Sequence, residues 1–446
     1  MWHQASTPFG KRPYRSNLTA LGQGLSHRIA RSAQLLSVIA ATLLAIPAAG
    51  GVSTDGVTRW NQLATDASIV ANTNPLRESC IFAILHVAIH DAVNAVELRY
   101  EPYLPGTGPA AGGASVEAAI AGAAHATLVA LLPASKVSFD AAMEETLRTV
   151  SDDSRKAAGV KLGRAVATRI LAARENDGEN RTVQYIPGTK PGEYRPTPPD
   201  FTPAFNPHWG SVTPFVLKSS AQFRPPDPPP VNSLRALADI EEVKAIGGSK
   251  SAIRTAEQSE IARYWYESSP RGWNRIAREV LAARHFDVWE NARLFALVNL
   301  AMADGYIANF ESKYHYNYWR PVTVIRESGD SEWLSYLPTP PVPDYPSGHA
   351  VEGAAAATVM ARFFNTDFIS FSMTSGAPYP GITRKFWSFS EAARENAASR
   401  IINGIHFSSA VSAGYFQGER VGEWVFEHAL RPAKPGPATT PSPEAG

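Results

Sequence analysis

Three short stretches of this sequence carry side chains that can grip a small anion and move its protons. The first, Lys313-Tyr314-His315-Tyr316-Asn317-Tyr318-Trp319-Arg320-Pro321, sets a lysine and an arginine seven positions apart among aromatic rings, with Phe310 just before. Seven residues are two helical turns, so on a helix both cations leave nearly the same face, about 10 Å apart by helical rise. Pro321 turns Arg320 out of helical geometry and ends the element. A solvated charged face is the ordinary explanation of such a pair. The surrounding rings argue instead for cations partly stripped of water, and those need an anion.

The second stretch, Asp344-Tyr345-Pro346-Ser347-Gly348-His349, runs into the helix-like segment from Ala350 to Met360. Ser347 stands where an N-cap stands, and Gly348 lets a ligand approach the backbone closely. Free amides at a helix start form an oxyanion seat. An ordinary capped helix would explain as much, except that His349 sits at the mouth of the seat, placed for proton transfer. In the third stretch, Ser399 to His406, Arg400 and His406 lie six apart on an alanine-rich helix, about 120° apart around it. They would flank a target, with Gly404 bending or ending the helix between them. Alone, this segment reads as a buried, satisfied histidine beside a surface arginine. Together the stretches supply three cations, a hydroxyl, free amides and two histidines, an inventory for one tetrahedral oxyanion.

The pattern Lys-x6-Arg-Pro, then Pro-Ser-Gly-His, then Ser-Arg-x3-Gly-x-His resembles the signature shared by vanadium-dependent haloperoxidases and type 2 phosphatidic-acid phosphatases. The blocks flanking it (Ala301 to Ile307, Tyr318-Trp319-Arg320-Pro321, and Ile89 to Tyr103) resemble bacterial haloperoxidases in particular. The resemblance implies a vanadate cofactor held by Lys313, Arg320, Ser347, the Gly348 amide and Arg400. It makes His406 the axial ligand of vanadium, His349 the acid–base residue, and Lys313 the group that polarises hydrogen peroxide for attack by halide. The product would be a hypohalous acid equivalent that halogenates a small organic substrate. On the same scaffold a phosphomonoesterase would use His406 as nucleophile and His349 as leaving-group acid. A third alternative is an inactive exported protein that keeps the site as an anion binder. Two positions depart from the family pattern. Ala410 stands four after His406, where members often carry an acid that orients the histidine. Val342 stands five before Ser347, where haloperoxidases commonly carry an aromatic residue or histidine.

The elements that must position these groups read as helical throughout. The chain has 446 residues, 44% hydrophobic and 19% charged, enough for a substantial core. Its net charge of +1 supports neither nucleic acid nor an acidic membrane as partner, so the anion site must be local. Residues 1–50 combine Lys11, Arg12, Arg15, Arg28 and Arg31 with the uncharged run Leu35–Ala49 and small residues at its end. That is the pattern of a signal peptide cleaved near 48–50, or an uncleaved anchor, giving a periplasmic or secreted protein without stable membrane insertion of the mature chain.

Helical periodicity covers 75–100 and 115–175 in an N-terminal helical region (51–185). It returns at 234–246, 256–269, 275–312, 348–365 and 388–430 in a C-terminal catalytic region (234–431). The alanine-rich run Ser115–Leu132 suits close helix packing. Residues 186–233, rich in proline, carry Tyr194, Phe201, Phe205, Trp209, Phe215 and Phe223, groups to bury that favour an ordered wrap over a plain linker. Residues 432–446 read as a disordered tail. No alternating run suits a sheet, so the fold class is all-α, two packed helical bundles with the wrap across them. His86, His90 and Asp91 have metal-ligand spacing but no third clear ligand. His315 is a candidate pocket-lining group. Cys80 reads as a buried hydrophobe, and Gly106-Thr107-Gly108 lacks the context of a dinucleotide loop. Homo-oligomerisation stays open.

Overall fold

The computed structural model describes residues 55–106 and 113–433. These form the helices α1 (Gly56–Val70), α2 (Pro75–Val96), α3 (Val116–Leu131), α4 (Lys136–Thr149) and α5 (Asp153–Arg174). After the proline-rich stretch come α6 (Leu234–Gly247), α7 (Ala256–Tyr264), α8 (Ser269–Ala282), α9 (Val288–Tyr316), α10 (Pro321–Glu327), α11 (Gly348–Phe363), α12 (Phe389–Ile402) and α13 (Ser408–His428). The helical expectation holds. One correction is an antiparallel ladder, β1 (Phe371–Thr374) with β2 (Thr383–Phe386), in register Phe371 to Phe386. Four residues per strand give too short an alternation to stand out from sequence. A second is α1, which lies ahead of the periodicity read from residue 75 and which Asp55 starts by accepting from the Thr58 amide. The region read as one helix from 275 to 312 is two, α8 and α9. The break comes where Asp287 and Glu290 close a capping box on α9, each side chain accepting the other's amide.

The first bundle packs α3 against α5, with α2 and α4 alongside; the second packs α11 against α9, α12 and α13, and α2 meets α9 between them. The small residues of α3 allow the close approach foreseen for them. A Cβ at Gly163 of α5 would lie 2.1 Å from the Ala119 carbonyl oxygen, so only glycine fits there. Helix α13 crosses the start of α11 as tightly, for a Cβ at Gly414 would sit 2.4 Å from the Ser347 oxygen. By length and composition helix α2 could cross a membrane. Yet 94% of its most apolar window is buried inside the protein, as a core helix requires.

The proline-rich segment 186–233 is an ordered wrap. Asp304 on α9, fully buried, accepts the amides of Phe215, Val216 and Leu217 at 2.6, 2.8 and 2.8 Å. Tyr314 donates its hydroxyl to the Phe205 oxygen, Tyr345 to that of Pro226 and Tyr318 to that of Pro229. Tyr194, Trp209 and Phe215 are buried, whereas Phe201 stays 62% exposed, so that ring is not among the anchors. Burial holds the Asp304 pKa up at about 6 against the lowering pull of its three amide donors. Asp304→Ala should strand those N–H groups and cost about 3 kcal/mol or more, read as a lower urea midpoint with faster proteolysis inside 186–233. An unchanged midpoint would show that the wrap is held elsewhere.

His86 accepts from Asn61 Nδ2 at 2.8 Å, and burial lowers its pKa to about 3. His90 Nδ1 meets Asp91 Oδ1 at 3.0 Å, and Asp91 accepts the amides of Tyr103 and Leu104. Among the described residues no metal-binding cluster of histidine, cysteine and carboxylates forms. Cys80 is buried, which pushes its thiol pKa up. The signal-like segment 1–50 lies outside the described residues, as do Thr107 and Gly108. Pro432, read as the start of a tail, pairs with Tyr100, and the Ala433 amide donates to the Arg99 oxygen; the chain from 434 on lies outside the description.

Candidate functional site

Lys313 stands in the last turn of α9, which stops sooner than the sequence suggests. Asn317 takes the left-handed conformation (φ 50°) and returns its amide to the Lys313 oxygen, closing the helix after Tyr316. The two cations therefore do not share a helical face. Arg320 is instead the N-cap residue of α10, in extended backbone, with Pro321 opening that helix. The two side chains still converge. Lys313, 2% exposed, donates Nζ to the oxygens of Pro343 (2.8 Å) and Asp344 (3.0 Å). Arg320, at 0%, donates Nε to the Val342 oxygen and Nη1 to the Ile405 oxygen.

Ser347 occupies the N-cap of α11 as foreseen, but its hydroxyl does not cap the helix: Oγ is buried and has no protein partner. Its amide donates to the Ala410 oxygen at 2.9 Å, and Asn309 Nδ2 donates to the Pro346 oxygen, so both sides of the turn are pinned. Gly348 opens α11, and the amides of a first turn have no partner within the helix. His349, half-buried, donates Nε2–H to the Glu267 oxygen at 3.1 Å, which leaves Nδ1 with its lone pair. Burial, then the nearby Arg400 cation, drives its pKa well below the ordinary range, so the ring is neutral.

The expectation of Arg400 and His406 on one helix is corrected. Helix α12 ends at Ile402, Gly404 turns the chain at φ 78°, and His406 lies in the link before α13. Arg400 is buried, with Nε on Ser399 Oγ and Nη2 without a partner. Desolvation lowers its pKa to about 10. His406 is 4% exposed, with Nε2 3.1 Å from Arg320 Nη1. Burial, followed by the charges of Arg320, Lys313 and Arg400, holds its imidazole neutral. All seven residues named from sequence (Lys313, Arg320, Ser347, Gly348, His349, Arg400 and His406) thus belong to segments that meet around one another. His315 does not join them; it is exposed, edge-on to Tyr316.

Two contributors escaped the sequence. Asp344 Oδ1 lies 2.9 Å from His406 Nδ1 and 3.7 Å from Arg320 Nη1. Burial raises its pKa to about 7 against the lowering pull of Arg320 and Lys313. A carboxylate inside an otherwise apolar and aromatic stretch was the one signal for it. Glu267, buried, holds His349 through its own carbonyl, while its carboxylate binds Arg275 and the Gly376 amide of the β1–β2 loop. Nothing local marks it.

Three cations, one buried hydroxyl and one guanidinium nitrogen, both unpartnered, and the first-turn amides of α11 form a donor set for a tetrahedral oxyanion. Vanadate fits it, with the neutral imidazole of His406 offering a nitrogen ligand among the cations.

Comparison with known proteins gives the same picture. The family model described as VCPO second helical-bundle domain matches residues 293–435. The chain is 26% identical to the vanadium chloroperoxidase of Curvularia inaequalis, over 80% of this chain and 79% of that protein. It resembles the crystal structure of a bacterial vanadium-dependent iodoperoxidase (TM-score 0.76, 28% identity, 85% of this chain and 97% of that one). A holo-type bacterial vanadium-dependent chloroperoxidase shares the fold, with TM-score 0.64 and 20% identity over 79% of this chain and 92% of that one. The resemblance carried by the three sequence blocks is borne out, and so is the helical fold.

Proposed function

We propose that this relative of the vanadium haloperoxidases is itself a vanadate-dependent haloperoxidase, using hydrogen peroxide to oxidise a halide that then halogenates a small organic substrate. The observation that carries this reading is the meeting of Lys313, Arg320 and Arg400 with the unpartnered Ser347 hydroxyl around a neutral His406. Lys313, Arg320, Arg400, Ser347 and the Gly348 amide would hold the oxygens of vanadate, and the imidazole of His406 would offer it a nitrogen ligand. When bound, vanadate supplies a Lewis-acidic centre that activates peroxide without itself changing oxidation state.

The protein's own work is positional and protonic. The three cations oppose the anion's charge in a water-poor setting, where Coulomb attraction is far stronger than in bulk. Lys313, already desolvated and pinned to two carbonyls, would be the donor that polarises hydrogen peroxide. His349, with Nε2–H fixed on the Glu267 carbonyl, takes and returns protons at Nδ1.

The test is halogenation of a phenol indicator by metal-free protein before and after vanadate, with chloride, bromide and iodide in turn. Turnover that appears only with vanadate is the expected result. Aryl phosphate hydrolysis inhibited by vanadate, with no halogenation, would overturn the proposal.

A further inference from the structure

We infer that Asp344 is the positioning residue for His406, fixing the imidazole in the tautomer that presents Nε2 to the bound oxyanion. This rests on the reading of the site as a vanadate site with His406 as its nitrogen ligand. Asp344 is fully buried, and its backbone is held at both ends: its amide donates to the Tyr318 oxygen at 2.8 Å, and its own oxygen receives Lys313 Nζ. The carboxylate is thereby delivered to the ring, Oδ1 standing 2.9 Å from Nδ1.

The carboxylate itself sets the proton. Arg320 Nη1 lies 3.1 Å from Nε2 and 3.4 Å from Nδ1, over the ring, and so selects neither nitrogen, whereas an ionised carboxylate can only accept. Nδ1 then carries the hydrogen, toward Asp344, and Nε2 keeps its lone pair. The contact lies off the line of a regular hydrogen bond, and the Phe407 amide is a second donor close to the carboxylate. A ligating histidine whose second nitrogen faces a carboxylate is both oriented and made a better donor to its metal. Helix α13 cannot supply this group, since its nearest candidate, Ala410, is an alanine buried against the site, its carbonyl already taken by the Ser347 amide.

Asp344 could instead act only as a counter-ion to Lys313 and Arg320. The two roles predict opposite signs. A mere counter-ion competes with any anion, so removing its charge should tighten binding of vanadate and phosphate alike. A positioning residue acts through the nitrogen–vanadium bond, which inorganic phosphate does not make.

The experiment measures binding of vanadate and of inorganic phosphate by calorimetry to the wild type, Asp344→Asn, His406→Ala and the double variant. We expect Asp344→Asn to lose vanadate affinity by roughly 10-fold or more, while phosphate binds unchanged or more tightly. In the His406→Ala background the same substitution should cause no further loss of vanadate. Tighter binding of both anions, or a vanadate loss that persists without His406, overturns the inference. Should Asp344→Asn fail to fold, nitrogen NMR of histidine-labelled wild type with vanadate decides: Nδ1 protonated at His406 is expected, and a proton on Nε2 overturns it. Wild-type protein that binds vanadate no better than phosphate would instead remove the parent reading, an outcome distinct from all of these.

Discussion

His406→Ala should weaken vanadate binding by more than about 100-fold, down to the level at which the folded protein still attracts phosphate. The cations that gather an anion are untouched: Lys313 stays on two carbonyls, and Arg320 keeps its bonds to the oxygens of Val342 and Ile405. What disappears is the neutral nitrogen that lies against Arg320. Outer partners of metal ligands typically carry 10–100-fold in affinity, so loss of the ligand itself should exceed about 100-fold. Equilibrium dialysis of vanadate, with circular dichroism as control, reads the effect. Halogenation at wild-type rate in this variant would refute the assignment of His406.

His349→Ala should do the reverse, keeping vanadate and losing turnover. The ring is held neutral by burial and by Arg400, so removing it takes no charge from the anion site. Its fixed partner is the Glu267 carbonyl on a different segment, so its loss leaves the oxyanion donors in place. General acid–base catalysis by a placed imidazole contributes on the order of 10²–10⁴ in rate, and kcat should fall by that factor. A variant with unimpaired kcat, or one that no longer binds vanadate, would show that the proton is handled elsewhere or that the ring is part of the seat.

The chemistry of the site was more legible in the sequence than its geometry. Residue types and spacings picked out seven groups that the fold brings together because those groups cluster in three short blocks, and Ser347-Gly348 announces a helix start by local rules alone. The backbone that joins them was less readable. The two-turn spacing of Lys313 and Arg320 reads as one continuing helix, yet one left-handed residue, Asn317, ends α9 and puts Arg320 on a separate element. Likewise Gly404 moves His406 off α12. Single residues with positive φ leave no periodic trace. Asp344 and Glu267 were missed for a different reason: their partners His406 and His349 lie far off in the chain, and pairing at that distance is set by packing.

The tight crossing of α13 over the head of α11 constrains how this catalyst could be retuned. Main chain presses on main chain at Gly414, and the Ala410 carbonyl clasps the Ser347 amide, so the floor beneath the reaction offers almost no side-chain volume to exchange. A protein engineer seeking a different halide or a bulkier acceptor would find that floor unforgiving. More adjustable are Tyr266, which lies against Arg400, and Tyr379 of the β1–β2 loop, which lies against Tyr266; both are half-buried.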